Sequence, residues 1–352
     1  HQGRRGPQAD ERIPPSGRIA VSNERRDGLS RKRTYSRRLV FAVLLALTVL
    51  TLLAGVVVGP VHIPISDAFS YLIGRGISAD GSPSVPHLII SQIRLPRVLL
   101  GLLVGCALAI SGGTMQGLFR NPLASPYVLG IASGASTGAS LVILLNLHGA
   151  LFLPLGAFIG GSIAVGIVYQ LAQERDRKTS VYTLILAGVA VGALFAAGTS
   201  FIIFLSSGTE RMTDVIFWTM GSLGRANWTY LYVLLPIVTL GSLVVIAFSR
   251  DLNALAMGEE GAFHLGINPE TSKRIMLGVA TLLTSSAVAF AGTIGFVGLI
   301  IPHIMRLIMG PDHRFLLPTM AIAGAIFLVW ADMAARTVVR PAELPVGIIT
   351  AF

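Results

Sequence analysis

Charged positions cut this chain into long apolar runs. Windows free of Asp, Glu, Lys and Arg cover 39–66, 98–119, 121–173, 179–209, 226–249, 275–305 and 315–331. A helix needs about 20 apolar residues to cross a bilayer core. Several windows reach that length, and the longer ones have room for two crossings or for one crossing plus partly inserted turns. The pattern predicts an all-α, polytopic integral membrane protein.

The charged clusters set the turns between crossings. With the N-terminus on the cytoplasmic side, helix one is expected at 39–59. Pro60, Pro64, Pro83 and Pro86 are expected to block a long helix in an external segment over 60–96. Helix two follows at 97–118. Residues 121–173 need two crossings, with a break near His148-Gly149 and Pro154. The run Glu174-Arg175-Asp176-Arg177-Lys178 makes the next cytoplasmic turn. Helix five is expected at 180–205, an external segment at 207–227 and helix six at 229–248. A polar cytoplasmic loop occupies 250–273. Helices seven, eight and nine are expected at 274–291, 294–309 and 315–335. After Pro345 the apolar residues 346–352 read as the opening of a tenth helix whose remainder is missing.

Composition sharpens this reading. Hydrophobic residues make up 53% and charged residues 12%, against roughly 25% charged in an ordinary soluble domain. The 39 glycines suit helices that pack closely in lipid. The lone Cys106 excludes an internal disulfide framework and a cysteine metal cluster, and reads as a small packing residue. A net charge of +10 would by itself suit nucleic acid, but the basic residues crowd the first 38 positions, ending in Arg31-Lys32-Arg33 and Arg37-Arg38. Such a segment buries too little apolar surface to fold. Residues 1–38 are therefore expected to be a disordered cytoplasmic tail beside anionic lipid, with no nucleic acid partner. The full-length apolar run that follows, without a small-residue cleavage site, excludes a signal peptide.

The spans carry little chemistry. Asp332 is expected near the outer end of helix nine, and His303 and Arg306 near the inner end of helix eight, so ionisable groups avoid the bilayer middle. An ion-coupled carrier usually keeps such groups there. No metal or nucleophile constellation is present, no cofactor is expected, and no phosphate-binding glycine loop with Lys and Ser/Thr occurs. These absences argue against a membrane enzyme. A conduit powered by something docked on it remains. Small residues four apart, at Gly101, Gly105, Ala109 and Gly113, at Gly130, Gly134 and Gly138, at Gly156 and Gly160, and at Gly188 and Gly192, read as close helix contacts. Lining of a wide path is the sharper alternative.

Three stretches carry a specific likeness. The first is Arg94-Leu95-Pro96-Arg97, then Gly105-Cys106-Ala107-Leu108-Ala109-Ile110-Ser111-Gly112-Gly113-Thr114-Met115-Gln116 and Asn121-Pro122-Leu123-Ala124-Ser125-Pro126. The second is Ala256-Met257-Gly258-Glu259-Glu260, running on to Leu265-Gly266-Ile267. The third is Gly292-Thr293-Ile294-Gly295-Phe296-Val297-Gly298-Leu299-Ile300-Ile301-Pro302-His303, then Asp312-His313-Arg314 and Ala342-Glu343-Leu344-Pro345-Val346-Gly347. In this order the chain resembles the FecCD family of ABC importer permeases, the membrane subunits for ferric siderophores, haem and vitamin B12.

The resemblance implies a ten-helix permease fold over 39–352, with the tenth helix truncated here. It implies the cytoplasmic membrane as location and an iron–siderophore complex as cargo, moved by alternating access. Haem or cobalamin import is the alternative of the same type, and an ion-coupled secondary carrier the alternative from another class. The implied partners are two cytoplasmic ATP-binding subunits, an extracytoplasmic solute-binding protein, a second copy or sister permease, and membrane lipid. ATP hydrolysis would belong to the partner, so the chain itself is expected not to be an enzyme. By similarity Arg94, Arg97 and Arg336 would fork onto acidic residues of the binding protein, with Arg340 assisting. Met257, Gly258, Glu259, Glu260, Leu265 and Gly266 would form the ATPase coupling loop, folded as two short helices, with the glutamates favoured by the helix dipole. Asn121, Leu123 and Ser180 would form the cytoplasmic gate.

Overall fold

The computed structural model describes residues 37–61, 63–64, 84–173, 180–339 and 341–352. By internal contacts the chain separates into residues 1–43 and 44–352. Of the first unit only the opening turns of one helix are described, so the expected tail lies almost wholly outside the described residues.

The described elements are all helical. They are α1 (Arg37–Val57), α2 (Val85–Leu118), α3 (Ile131–Leu144), α4 (Phe152–Ala172), α5 (Val181–Leu205), α6 (Glu210–Thr219) and α7 (Trp228–Ala247). Then come α8 (Ser249–Ala256), α9 (Glu259–His264), α10 (Pro269–Ala291), α11 (Val297–Met309), α12 (His313–Ala335) and α13 (Val346–Ala351). Seven of them, α1, α2, α4, α5, α7, α10 and α12, are long and apolar enough to cross a membrane.

Helix α2 starts about three turns before Pro96, although the prolines read as breakers. Pro86 sits in the first turn, where its missing N–H serves no bond. Residues Ile89–Arg94 then widen into a π-helical stretch, and Leu95 N donates to Ile90 O. In that five-residue register the carbonyl that Pro96 fails to serve is that of Ser91. The indole Nε1 of Trp228 donates to it at 3.0 Å instead. A π-turn plus one borrowed donor thus carries the helix through a proline.

Two apolar helices are short. At 1.5 Å per residue, α3 and α11 reach only about 20 Å, so the chain entering each must lie within the protein, where its polar backbone finds partners. Arg120 (φ 49°) and Gly130 (φ 76°) shape the segment before α3, which holds a 3-10 turn at Pro126–Leu129. The Tyr127 hydroxyl donates to Ile294 O at 2.8 Å, joining that segment to the loop before α11.

Helix α2 forms the centre, packed on α7, α10, α11 and α12, while α3, α4 and α5 form a second group joined to it through α10. Several glycines of the rows lie at close helix contacts. A Cβ at Gly105 would stand 2.2 Å from the Gly324 carbonyl oxygen, and one at Gly138 2.0 Å from that of Gly156. Close approach, not path lining, accounts for these two positions.

Candidate functional site

Along the first half of α2 and at the C-terminal end of α12 the structure gathers the three expected arginines, all of them buried. Arg94, Arg97 and Arg336 are 2%, 6% and 2% exposed. Arg94 Nη1 donates to Val56 O (2.8 Å) and Val57 O (2.6 Å), and Nη2 to Val61 O, so it staples the end of α1. Arg97 donates through Nε and Nη2 to Asp332 at 2.9–3.1 Å. Its Nη1 reaches both Glu343 oxygens at 2.9 and 3.1 Å. Arg336 donates to Gly55 O at 3.0 Å, with its Nε 3.5 Å from Asp332. Burial pushes the Arg336 guanidinium down from its ordinary value, and Asp332 opposes that shift. All three guanidinium groups are held from within: a buried cation needs a partner, and this chain supplies carboxylates and carbonyls of its own. Arg340 lies outside the described residues.

Beside this cluster a cleft of about 140 Å³ opens, walled by Trp218, Ser222, Arg225, Tyr230, Phe290 and Glu343 among others. Asp332 and Glu343 completed the cluster without being singled out as a pair for Arg97. Their separation from it in sequence, 235 and 246 positions, gives no local signal.

At the opposite end lie two short helices, α8 and α9, of which only α9 falls within the expected loop at 257–266. Gly258 (φ 111°) starts α9 and Gly266 (φ 79°) follows its end. Glu259 and Glu260 occupy the first turn of α9. Leu252 and Leu255 bury α8 against the bundle, while Met257 (76% exposed), Phe263 (70%) and Leu265 point outward. Phe263 was not among the sequence candidates. The only cue to it is an aromatic in an otherwise polar loop.

These helices are tied to two spans. Glu259 pairs with Lys273 of α10 at 2.9 Å, and Ser272 Oγ donates to Asp251 of α8. Asn253 of α8 donates to Asp312 Oδ1 at 2.8 Å and accepts from His313 N at 2.9 Å. Asp312 also caps α12, accepting from Arg314 N at 3.1 Å. The Arg314 guanidinium beside it holds its carboxyl down at about 2. This folded value lies below the unfolded one near 3.8, so the stabilisation is complete above pH 4 and fades as pH falls towards 2. Asp312→Ala is expected to cost about 1 kcal/mol at neutral pH, as lost caps do. In thermal melts the gap between variant and parent should close below pH 4.

The expected gate residues sit in two places. Asn121 accepts from Leu123 N at 2.9 Å in the turn after α2, and Leu123 is 70% exposed. Ser180 is the residue before α5. Among the described residues no hydrogen bond joins Ser180 to Asn121 or Leu123.

Comparisons with known proteins agree with one another. The profile of the FecCD transport family matches residues 46–352. The cobalamin import system permease protein BtuC of Halobacterium salinarum is 46% identical over 272 residues, 77% of this chain and 72% of that protein. The hemin transport system permease protein HmuU of Yersinia pestis is 42% identical, over 74% of this chain and 79% of its own. A solved structure of a metal-chelate type ABC transporter in an inward-facing conformation superposes with TM-score 0.76 and 31% identity, covering 89% of this chain and 95% of that one.

Proposed function

This chain belongs to the FecCD transport family, and from that premise we propose that it carries a bulky metal chelate into the cytoplasm by alternating access. It is a multi-pass membrane permease subunit of an ABC importer and not itself an enzyme. Two cytoplasmic ATPases drive it, a solute-binding protein delivers cargo from outside, and a second permease completes the path in the ten-helix arrangement. The N-terminus lies on the ATPase side, as do α8 and α9.

The observation that carries this reading is the outward apolar set Met257, Phe263 and Leu265 on helices bonded to α10 and α12. An exposed apolar tip on a polar, water-facing loop suits insertion into a partner's cleft. The ion pair and the capped Asp312 would pass the partner's closing motion to two spans at once. Asn121, Leu123 and Ser180 form the inner gate in this scheme.

The double variant Met257→Glu, Phe263→Glu tests it. Buried anchors of this kind are worth about 2 kcal/mol or more each, so uptake should fall more than about tenfold while the permease stays folded. Unchanged uptake would remove the coupling assignment.

Iron–siderophore cargo is the first choice, and cobalamin is the second, favoured by the 46% identity to the halobacterial permease. Proteoliposomes holding the permease, the ATPases and the binding protein should accumulate one of labelled ferric siderophore, hemin or cobalamin on adding ATP. Accumulation driven by an ion gradient without the ATPases would replace this reading with a secondary carrier.

A further inference from the structure

Of the two carboxylates on Arg97, one is sealed in and one is not. The Asp332 side chain is 2% exposed, whereas that of Glu343 is 38% exposed. Asp332 belongs to α12, a rigid span. Glu343 belongs to the short segment leading into α13, held by Leu344 N on Ala335 O at 3.0 Å and Val346 N on Gly221 O at 2.9 Å.

The Glu343 side of this pair is open. Glu343 lines the outer cleft of about 140 Å³ together with Ser222, Arg225 and Tyr230. Gly224 stands over the pair: a Cβ there would lie 3.7 Å from Glu343 Oε2 and 4.0 Å from Arg97 Nη1. In the cluster Arg97 and Arg336 face Asp332 and Glu343, so any acid that replaces Glu343 on Arg97 preserves the balance of charge.

We propose that Glu343 is an exchangeable internal stand-in, which occupies Arg97 until an acidic side chain of the solute-binding protein displaces it through the cleft. The exchange frees the segment before α13 and so turns docking into a movement of that helix. This inference rests on the docking reading of the proposed function, and it reconciles that reading with an Arg97 that is buried and already paired. Glu343 acts as a positioning residue, not as a contact for cargo.

The competition has a signed consequence. A partner that must first displace a resident group binds more weakly by the fraction of time the site is free. Glu343→Gln removes the resident charge, so the binding protein encoded with the permease should bind the reconstituted transporter more tightly, by about tenfold. Mere structural damage would weaken binding instead. Hydrogen exchange adds a readout that needs no partner. The amides of Leu344 and Val346 should exchange several-fold faster in Glu343→Gln, and in the parent they should accelerate when the binding protein docks.

Equal or weaker binding by the variant, or unchanged exchange at 344–346, would overturn the stand-in while leaving docking intact. Failure of the parent transporter to bind the protein at all would overturn the docking reading, and the inference with it.

Discussion

Gly112→Ala is expected to leave little or no folded permease, although it adds a single methyl group. A Cβ at Gly112 would stand 1.8 Å from the carbonyl oxygen of Gly298, 2.5 Å from its carbonyl carbon and 2.6 Å from its Cα. All three atoms are backbone of α11, so no rotamer change relieves the clash. The two helices must separate, and α2 is the element on which α7, α10 and α12 also pack. Overpacking a core by a methylene typically costs about 1–3 kcal/mol when side chains can yield; here they cannot, and the loss should exceed that range. Gly166→Ala is the control, because nothing lies within 4 Å of a Cβ at that helical position. An exchange of Gly for Ala in an open helix gains about 1 kcal/mol in helix propensity, so the control should melt slightly higher than the parent. Opposite signs for one chemical change would establish contact, not propensity, as the cause. A monodisperse, normally melting Gly112→Ala protein would contradict the α2–α11 contact.

The legibility of this chain follows the range of the forces involved. Helix α7 begins one residue before the expected 229 and ends one before 248, because Asn227 caps it locally, accepting from Tyr230 N at 3.0 Å, and charges flank the apolar run. The glycines of α3 and α4 were readable as contacts because their spacing is periodic. Gly112 lies off the expected row of Gly101, Gly105, Ala109 and Gly113, so its contact with Gly298, the closest on α2, went unread. The start of α2 was misplaced for another reason. Pro86 and Pro96 carry a local rule, and what relieves it at Pro96 is an indole from Trp228, 137 positions beyond the Ser91 carbonyl it serves. The arginines illustrate the same limit more strongly. Their place at the edges of the charge-free windows follows from the sequence, whereas their burial depends on Asp332, Glu343 and the carbonyls at and just beyond the end of α1. Motif likeness singled out the three arginines and the loop at 257–266. It did not reveal that the arginine cluster is closed on itself.

Asp332→Ala should be the most damaging change at the arginine cluster, and its severity should depend on what is left of Arg97. Removing Asp332 strips Arg97 Nε and Nη2 of their acceptors and leaves Arg336 without its nearest carboxylate. Both cations are buried, and a buried charge whose partner is deleted costs about 3–5 kcal/mol. Arg97→Ala strands Asp332 in turn, although Arg336 stays nearby, and should cost somewhat less. If the pair exists chiefly to neutralise itself, the double variant Arg97→Met, Asp332→Leu should recover most of the loss, because apolar replacements of similar volume often restore such sites. Glu343→Gln belongs to a different class. Its side chain meets solvent, and exposed ion pairs are typically worth about 0–1 kcal/mol, so its melting point should barely move. Thermal melts of Asp332→Ala, Arg97→Ala and the combined Arg97→Ala, Asp332→Ala protein against the parent form a double-mutant cycle, in which contacting residues couple by about 0.5–3 kcal/mol. Additive losses would mean that the two side chains act independently. A large drop for Glu343→Gln would make that residue a structural anchor equal to Asp332, and a carboxylate anchored so firmly would be a poor candidate for exchange.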